Sequence, residues 1–502
     1  MTVSFCSRIL LAIMLAGTLS VASAEDAARD HAQPGAAERR ATEKGVLRLL
    51  PADSVTEHSI STPRGALAYT ATAGTLAFYD QSGEQSASVF YTAYVAKDAQ
   101  SNRPLTFVFN GGPGAASAFL HLGLVGPRIL DFGANGHDAA RATLRDNPDT
   151  WLSFTDLVLI DPIGTGWSRT VKPDDGKNFW SIRSDASSMA KAIALYLAKS
   201  NRTASPKFLF GESYGGFRAV KTARALQSDQ GILISGILML SPLLEGWLTF
   251  GDDQSALRAA LQLPSLAAAE LERKHVFSPE ALAAAENFAM TDYLVTLAGT
   301  PPKGEAAEAF YERVAKVSGL SVDAVAQARG FAANAYVKNL RSGENKIVSR
   351  YDATFAVDDP YPELRSSRSP DPILDVVTRA YGGAMASYAR NDLGFKTEMT
   401  YALLASDVHW DWQGGRLQAS AEDDLRTLLA YDASFRLLIA HGYADMITPY
   451  AMTRYILDHM PSFDPPGRAQ LKLYRGGHML YLDPQSRKAF SADVAVFFRT
   501  GE

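Results

Sequence analysis

Cysteine is almost absent from this chain of 502 residues. The one cysteine, Cys6, precedes a short apolar run from Ile9 to Leu19, and Ala22-Ser23-Ala24 follows that run. A basic start, a short apolar run and an A-x-A site are typical of a secretory signal peptide, so we expect residues 1–24 to be removed on export. The mature chain would then have no disulfide and would depend on its hydrophobic core. This favours a periplasmic protein, or more generally a secreted one.

Patterns that bind metal ions, nucleic acid or membranes are also missing. The chain has no H-E-x-x-H pattern and no cysteine for a ligand cluster, so we expect neither a metal site nor a cofactor. The net charge of -5 gives no reason to expect nucleic acid or an anionic membrane as a partner. The N-terminal apolar run is too short to span a membrane. Hydrophobic residues make up 47% of the chain, which is typical of a globular protein.

The order of the apolar runs predicts an α/β fold. Residues 25–45 are rich in Ala, Arg and Glu, and we expect a mobile leader there. Residues 59–96 alternate between apolar and polar, which predicts antiparallel strands. Continuous apolar runs with helical patterns between them then predict a mostly parallel sheet of buried strands, with helices on both faces. These runs are Leu105–Phe109, Leu157–Ile160, Phe208–Phe210, Ile237–Leu240, Leu437–Ile439 and Leu471–Tyr474.

The segment 245–400 interrupts this pattern with residues that favour helices. One helix is predicted over Leu266–Lys274, and another begins at Ser278 and Pro279, which are typical of a helix start. Because buried strands return afterwards, we interpret the segment as a mainly helical insertion that caps the sheet. A separate domain is the alternative. The core would then consist of residues 46–244 and 401–502.

The motif Gly211-Glu212-Ser213-Tyr214-Gly215 lies between a predicted strand and a predicted helix. In that setting Gly-x-Ser-x-Gly is the form of a nucleophile elbow, which presents a serine hydroxyl at the end of a strand. Five residues of this kind also occur by chance, so the serine needs partners. A reactive serine requires a base, usually a histidine held by a carboxylate, and in such sheets both follow the serine along the chain.

Two late apolar runs each lead into one of these partners. Asp445 follows the run that ends at Ile439, and His478 follows the run that ends at Tyr474. Both are expected just past the carboxyl ends of strands, where open parallel sheets place their sites. His441 is a rival base, but it precedes Asp445 and so comes too early in the order. A structural role is the alternative for His441.

The loop Asn110-Gly111-Gly112-Pro113-Gly114 follows the buried strand that begins at Leu105. Glycines there would let a backbone N–H group face the oxyanion of an acyl-transfer reaction, and the N–H group of Tyr214 would be a second donor. A phosphate-binding loop is one alternative, although the G-K-[ST] ending is missing. A purely structural glycine turn is the other.

Together these blocks resemble the serine carboxypeptidases and their carboxypeptidase-like relatives. The blocks are Asn110–Gly114 with Gly126-Pro127, Asn147-Pro148 and Trp151 leading into Leu159–Ser168, Gly211–Gly215, and Asp445 with Gly477-His478. The resemblance implies the α/β-hydrolase fold, with a mostly parallel central sheet, antiparallel N-terminal strands, helices on both faces and a helical cap. It also implies that Ser213, Asp445 and His478 form a catalytic triad. The oxyanion would be held by the N–H groups of Gly112 and Tyr214.

The resemblance further implies that the terminal carboxylate of the substrate is bound by Asn110, the backbone of Gly111, and Glu212. In the family a second glutamate forms a hydrogen bond with the counterpart of Glu212. This chain has Leu124 at the position of that second glutamate. Two close carboxyl groups share a proton, so that one of them can bind a carboxylate at acid pH, and this device is incomplete here. The family's cysteine after the Gly-Pro-Gly is Ala115, consistent with the missing disulfides.

We therefore expect an exported serine carboxypeptidase that acts on peptides with a free C-terminus through an acyl-enzyme at Ser213. A carboxypeptidase-like esterase or acyltransferase with the same triad is the first alternative. A catalytically silent binding protein on this fold is the second. If carboxylate recognition persists, Glu212 must be protonated, so the release of C-terminal residues should fall as the pH rises above its pKa.

Overall fold

A computed structural model describes residues 45–63, 65–97, 102–133, 138–364 and 367–499. The predicted signal peptide, residues 1–24, lies outside the described residues. So does the predicted leader, 25–45, except for Gly45, which begins a short 3-10 helix that ends at Leu49.

Fourteen strands lie in the described part of the chain, numbered here in chain order. They are β1 (Ser54–Thr62), β2 (Gly65–Tyr79), β3 (Gln85–Ala96), β4 (Leu105–Phe109), β5 (Arg128–Asp131), β6 (Thr143–Asp146), β7 (Asp156–Ile160), β8 (Arg169–Thr170), β9 (Lys207–Glu212), β10 (Gly236–Leu240), β11 (Lys346–Val348), β12 (Ala356–Asp358), β13 (Arg436–Gly442) and β14 (Ala469–Tyr474).

Nine α-helices of ten residues or more accompany these strands in the described ranges. They are α1 (Ile182–Ser200), α2 (Tyr214–Gln230), α3 (Ala256–Arg273), α4 (Pro279–Phe288), α5 (Glu305–Ser318), α6 (Arg379–Asn391), α7 (Glu422–Tyr431), α8 (Tyr450–His459) and α9 (Pro484–Arg499). Shorter α-helical turns are Ala118–Leu120, Gly246–Thr249, Leu294–Ala298, Val322–Gln327 and Tyr336–Asn339. Single π-helical turns are His121–Val125, Ala289–Tyr293 and Ile373–Val377.

Most of the strands form one sheet in the order β1-β2-β3-β7-β4-β9-β10-β13-β14, with β8 beside β3. The first three strands and β7 pair antiparallel, as the alternating pattern of residues 59–96 predicts. From β7 to β14 every pair is parallel. The carboxyl ends of β9, β13 and β14 therefore lie on the same side of the sheet, and β9 lies next to its central strand, β4.

The two faces of this sheet are covered by separate hydrophobic clusters. Side chains alternate along β9, so that Phe208 and Phe210 pack on one face while Leu209 packs on the other. Helix α9 covers the first face, and α1, α2, α7 and α8 cover the second. A mostly parallel sheet with helices on both faces is the α/β architecture that the apolar runs predict, and that prediction is confirmed.

Two predictions about single elements were wrong. Strand β14 lies at the edge of the sheet, so it is largely exposed and not buried on both faces. The helix predicted over Leu266–Lys274 begins earlier, at Ala256, and continues through Pro264. Proline removes a backbone hydrogen bond and usually ends a helix. Here every residue from 259 to 270 is buried, and this packing offsets the cost.

The start of α4 follows its sequence signals. Ser278 accepts a hydrogen bond from the backbone N–H of Ala281 at 3.1 Å, and Pro279 occupies the first helical position. Helices α3 to α5 form a third hydrophobic cluster of their own with neighbouring turns. None of the described helices has the length and apolar character needed to cross a membrane.

Candidate active site

The turn between β9 and α2 places Ser213 at the edge of the sheet. Ser213 has φ 59° and ψ -127°, a backbone conformation that residues with a side chain seldom adopt. A Cβ atom at Gly211 would lie 2.0 Å from the carbonyl oxygen of Gly215, so only glycine fits there. The backbone N–H of Ser213 donates to the carbonyl of Leu240 at 2.9 Å, which ties the turn to β10. This geometry is that of a nucleophile elbow.

His478 and Asp445 meet beside this turn. The Nδ1 atom of His478 lies 2.9 Å from Oδ2 of Asp445, and both side chains are buried. The other carboxylate oxygen, Oδ1, accepts the backbone N–H groups of Ile447 and Thr448 at 2.8 and 3.1 Å. An ionised carboxylate can only accept, so Nδ1 carries the proton and Nε2 of the neutral ring is left as the base.

In this pair the attraction and the hydrogen bond between the two partners act against the large effect of burial on each pKa. Burial alone would raise the pKa of Asp445, but the charge and hydrogen bond of His478 hold that pKa below its usual value. Burial alone would lower the pKa of His478, but the charge and hydrogen bond of Asp445 raise it above its usual value. Asp445 therefore remains ionised and could stabilise a positive charge on the His478 ring.

His441, the rival base, has a different environment. Its Nε2 atom lies 2.8 Å from the hydroxyl of Thr453, and its Nδ1 atom lies 4.0 Å from Oδ2 of Asp445. Burial lowers the pKa of His441 to about 4, so the ring is neutral. His441 is not among the described residues that line the cavity at Ser213. A neutral ring behind Asp445 fits a structural role.

One cavity of about 150 Å³ brings together residues from the loop at Asn110, the turn at Ser213 and the loop at His478. Of the predicted site residues it is lined by Asn110, Gly111, Gly112, Glu212, Ser213, Tyr214 and His478. Asp445 does not line it and lies behind His478. Within the described residues the Ser213 hydroxyl makes no hydrogen bond, which is common for a nucleophile before substrate binds.

The two residues predicted to supply oxyanion donors, Gly112 and Tyr214, line this cavity from different elements. Gly112 has φ 99°, a conformation that favours glycine, and lies in the loop after β4. The loop packs closely on the elbow, because a Cβ atom at Gly111 would lie 2.6 Å from the backbone nitrogen of Tyr214. Tyr214 is the first residue of α2, where backbone N–H groups have no acceptor within the helix. Both groups remain candidate donors to an oxyanion.

A network of buried hydrogen bonds holds Asn110 against Glu212. The Asn110 Oδ1 atom accepts the backbone N–H of Leu120 at 3.0 Å, so its Nδ2 faces Oε2 of Glu212 at 2.6 Å. The guanidinium of Arg218 donates to the Asn110 carbonyl and, at 2.7 Å, to Oδ2 of Asp185. Both the backbone and the side chain of Asn110 are therefore fixed.

Glu212 is poised to change its protonation state near neutral pH. Burial raises its pKa to about 7, against the smaller opposing effects of the His478 charge and of hydrogen bonds from Tyr481 and Asn110. Leu124 is fully buried and offers no polar group. The hydroxyl of Tyr481 lies 3.2 Å from Oε2 of Glu212.

Sequence reasoning missed two polar side chains of this site. Tyr481 contacts Glu212, and its only signals were its position three residues after His478 and the missing carboxyl partner at Leu124. Thr448 places its hydroxyl 2.9 Å from Oδ2 of Asp445. No sequence pattern marked Thr448.

The remaining wall of the cavity is mostly apolar, and the segment 245–400 contributes to it. The apolar side chains are Ala115, Phe119, Leu243, Phe250, Leu374, Leu404, Ile447 and Met479. Thr249, Tyr351 and Thr378 come from the same segment as Phe250 and Leu374. In the part of the chain that the structure describes, no cluster of three or more His, Cys, Asp or Glu side chains could hold a metal ion.

Comparisons with known proteins agree with the motifs. A family model described as serine carboxypeptidase matches residues 68–242. Serine carboxypeptidase-like 41 of Arabidopsis thaliana is 31% identical over 170 residues, which are 32% of this chain and 34% of the relative. Serine carboxypeptidase-like 44 of the same plant is 33% identical over 135 residues, which are 26% of each chain. The matched region thus spans only about a third or less of the length of these relatives.

The fold comparison extends over much more of the chain. A prohormone-processing carboxypeptidase from Saccharomyces cerevisiae matches 93% of this chain and 97% of its own, with a TM-score of 0.55 and 17% sequence identity. That identity supports the shared fold alone. The predicted resemblance to the serine carboxypeptidases is confirmed: the family match covers residues 68–242, and the fold is that of the α/β-hydrolases.

Proposed function

We propose that this protein is a serine carboxypeptidase that releases C-terminal residues from peptides through an acyl-enzyme. The observation that carries the proposal is the single cavity lined by Ser213, by His478 paired with Asp445, and by Glu212 with its pKa near 7. Ser213, His478 and Asp445 would carry out acylation. Glu212 would bind a carboxylate when it is protonated and not when it is ionised. Their combination in one cavity fits an enzyme that cleaves next to a free C-terminus.

The positions of Ser213, His478 and Asp445 support the following acylation step. Nε2 of His478 takes the proton of the Ser213 hydroxyl as its oxygen attacks the last peptide carbonyl. The imidazolium that forms is stabilised by the ionised carboxylate of Asp445. It then gives its proton to the leaving amine, and the C-terminal amino acid departs. A water molecule, activated by the same histidine, hydrolyses the acyl-enzyme and frees Ser213.

The negative charge that develops on the carbonyl oxygen needs fixed donors. The backbone N–H groups of Gly112 and Tyr214 are our candidates, because both residues line the cavity together with Ser213. Neither group depends on a side-chain rotamer, so neither must reorganise during the reaction.

Recognition of the free C-terminus is assigned to Asn110, Gly111 and Glu212. A protonated Glu212 donates a hydrogen bond to the substrate carboxylate, whereas an ionised Glu212 repels it. Glu212 directly precedes Ser213, so a carboxylate at Glu212 and a carbonyl at Ser213 belong to neighbouring parts of the substrate. This arrangement favours cleavage of the last peptide bond.

We also propose that residues 245–400 act as a cap on the core formed by residues 46–244 and 401–502. Five of the cavity-lining residues come from this segment, as described above. Export is proposed from the sequence of residues 1–24. N-terminal sequencing of the secreted or periplasmic protein tests it, and a chain that starts at Glu25 is the expected result.

The main test of the activity compares three substrates with a common acyl group. They are an N-blocked dipeptide, its C-terminal amide and a simple ester. A carboxypeptidase prefers the free acid at acid pH, and Ser213→Ala removes hydrolysis of all three. The second candidate function is that of an esterase or acyltransferase, which Leu124 favours because the carboxyl partner of Glu212 is missing. Equal kcat/KM values for the acid and the amide would indicate this second function.

A fluorophosphonate probe separates both enzymes from a catalytically silent binding protein. The probe should label Ser213 in the wild type and leave Ser213→Ala unlabelled. A folded wild-type protein that stays unlabelled would contradict any acyl-transfer activity.

A further inference from the structure

We propose that Tyr481 is a positioning residue whose hydroxyl takes the place of the missing carboxyl partner of Glu212 and directs the Glu212 proton towards the substrate carboxylate. This inference rests on the proposed function, because it assumes that Glu212 binds a free C-terminus. It adds a residue and a defined proton position to that site.

The contacts of Glu212 determine which oxygen carries the proton. Oε2 accepts the Asn110 amide at 2.6 Å and lies 3.2 Å from the Tyr481 hydroxyl. Oε1 lies 3.4 Å from the same hydroxyl and has no second partner among the described residues. A carboxyl oxygen that accepts two hydrogen bonds has no lone pair left for a proton. The proton therefore resides on Oε1, and Oε1 is the donor to a bound carboxylate.

The space beside Leu124 is shaped to admit the ring of Tyr481. A Cβ atom at Gly123 would lie 2.5 Å from the Cε2 atom of that ring, so a larger residue at position 123 would collide with it. The ring thus packs against the segment from which the second glutamate would extend. Leu124 itself is buried and apolar. The phenol ring of Tyr481, which comes from another part of the chain, therefore occupies the space beside Gly123.

Tyr481 acts on the substrate only through Glu212. Tyr481 is not among the described residues that line the cavity at Ser213. It lines a neighbouring cavity of about 420 Å³ together with Gly123 and Tyr381. Glu212 therefore stands between Tyr481 and the substrate. For this reason Tyr481 is a positioning residue and not a catalytic one.

A phenol differs from a carboxyl partner in its charge. Burial, and then the charge of Glu212, raise the pKa of Tyr481 well above its usual value, so it remains a neutral donor throughout the working range. The other titratable groups that act on Glu212 are His478 and Asp445. Burial, with a further contribution from Glu212, raises the pKa of Tyr351 and of Tyr381 above its usual value, so both are neutral phenols. The Tyr481 hydrogen bond favours the ionised form of Glu212.

Removal of the hydroxyl should therefore have two separable effects. In Tyr481→Phe the proton of Glu212 is no longer directed to Oε1, so KM for the N-blocked dipeptide acid should rise about tenfold at acid pH, a loss typical of one hydrogen bond. The ionised form also loses a donor, so the pH at which KM begins to increase should move upward by about one unit. The kcat value and the kcat/KM of the C-terminal amide should stay unchanged.

Tyr381→Phe is the matched control. Tyr381 is a second buried tyrosine that lines the same neighbouring cavity, and within the described residues no hydrogen bond joins it to Glu212. Its loss of a hydroxyl should leave both the KM and its pH profile as in the wild type. If Tyr481→Phe does not fold, 3-fluorotyrosine at position 481 keeps the size and strengthens the donor. That variant should move the rise of KM to lower pH.

The outcomes distinguish this inference from the function on which it rests. A wild type that does not prefer the acid over the amide at acid pH overturns both. A wild type with that preference, together with a Tyr481→Phe enzyme that matches Tyr381→Phe, overturns the role of Tyr481 alone. Equal losses of Tyr481→Phe on the acid and on the amide would also overturn it, because they would mark a merely structural residue.

Discussion

Substitution of Glu212 by glutamine should make the binding of the substrate carboxylate independent of pH. In the proposed function Glu212 binds the substrate only when it is protonated, and burial raises its pKa to about 7. The amide of Glu212→Gln keeps one oxygen as an acceptor for Asn110 and Tyr481. Its NH₂ group replaces the carboxyl O–H as a donor to the substrate and is never ionised. The variant should therefore bind a free C-terminus equally well at acid and at alkaline pH.

The size of the effect follows from the titration of one group. Glu212 is almost fully protonated at about pH 5, half protonated near its pKa and roughly one-tenth protonated at about pH 8. The KM of the wild type for an N-blocked dipeptide should thus increase about tenfold between about pH 5 and about pH 8. The KM of Glu212→Gln should remain constant over this range and should match the wild type at acid pH within about threefold.

The assay must remove the contribution of His478, whose own titration changes kcat. We would divide the kcat/KM of the dipeptide acid by that of its C-terminal amide at each pH. The amide uses the same Ser213 and His478 but has no carboxylate, so the ratio reports on Glu212. A wild-type ratio that is flat from acid to neutral pH would refute the reasoning. So would a Glu212→Gln ratio that still falls as the pH rises.

Three further predictions concern the groups around the elbow. Asp445→Asn should lower kcat by about 10⁴-fold with little change in KM, because the wrong tautomer of His478 is then favoured. A kinetic assay of ester hydrolysis measures kcat and KM of the variant and of the wild type. Ser213→Ala should abolish turnover while leaving the melting temperature nearly unchanged, since both residues carry a Cβ atom at this strained φ; calorimetry checks it. Arg218→Met should cost about 3–5 kcal/mol of unfolding free energy in urea by leaving Asp185 unpaired, and a second change, Asp185→Leu, should recover much of that loss.

The parallel half of the sheet could be predicted because a strand buried on both faces must be apolar at every position. Residues 157–160 and 237–240 meet that condition. The order of the strands in the sheet could not be predicted. Strand β7 lies between β3 and β4 in the sheet although it follows β4 in the chain, because segments distant in the sequence pair with each other. The edge position of β14 has the same cause, and its alternate side chains face solvent.

The elbow was predictable because its chemistry is local. The turn needs Gly211 and Gly215 on either side of Ser213, and all three lie within one stretch of five residues. The order of Asp445 and His478 follows from the requirement that both lie past strand ends. These three roles stay predictions until the activity is measured.

The environment of Glu212 could not be predicted from the sequence. Its hydrogen bond to Tyr481 joins residues 269 positions apart and depends on how the loop after β14 packs on β9. Gly123 contributes only by being small, which no motif records. The sequence marked the absence of a partner at Leu124. Only the packed structure places a phenol beside the carboxyl group.

The most direct measurement of the central claim follows the products of a peptide by mass spectrometry. The substrate is a peptide of defined sequence with a free C-terminus, and its C-terminally amidated form is the control. At acid pH the wild type should shorten the free peptide by one C-terminal residue at a time, process the amidated form more slowly, and lose both activities in Ser213→Ala. Internal cleavage, equal rates for the two peptides, or turnover by Ser213→Ala would contradict the account.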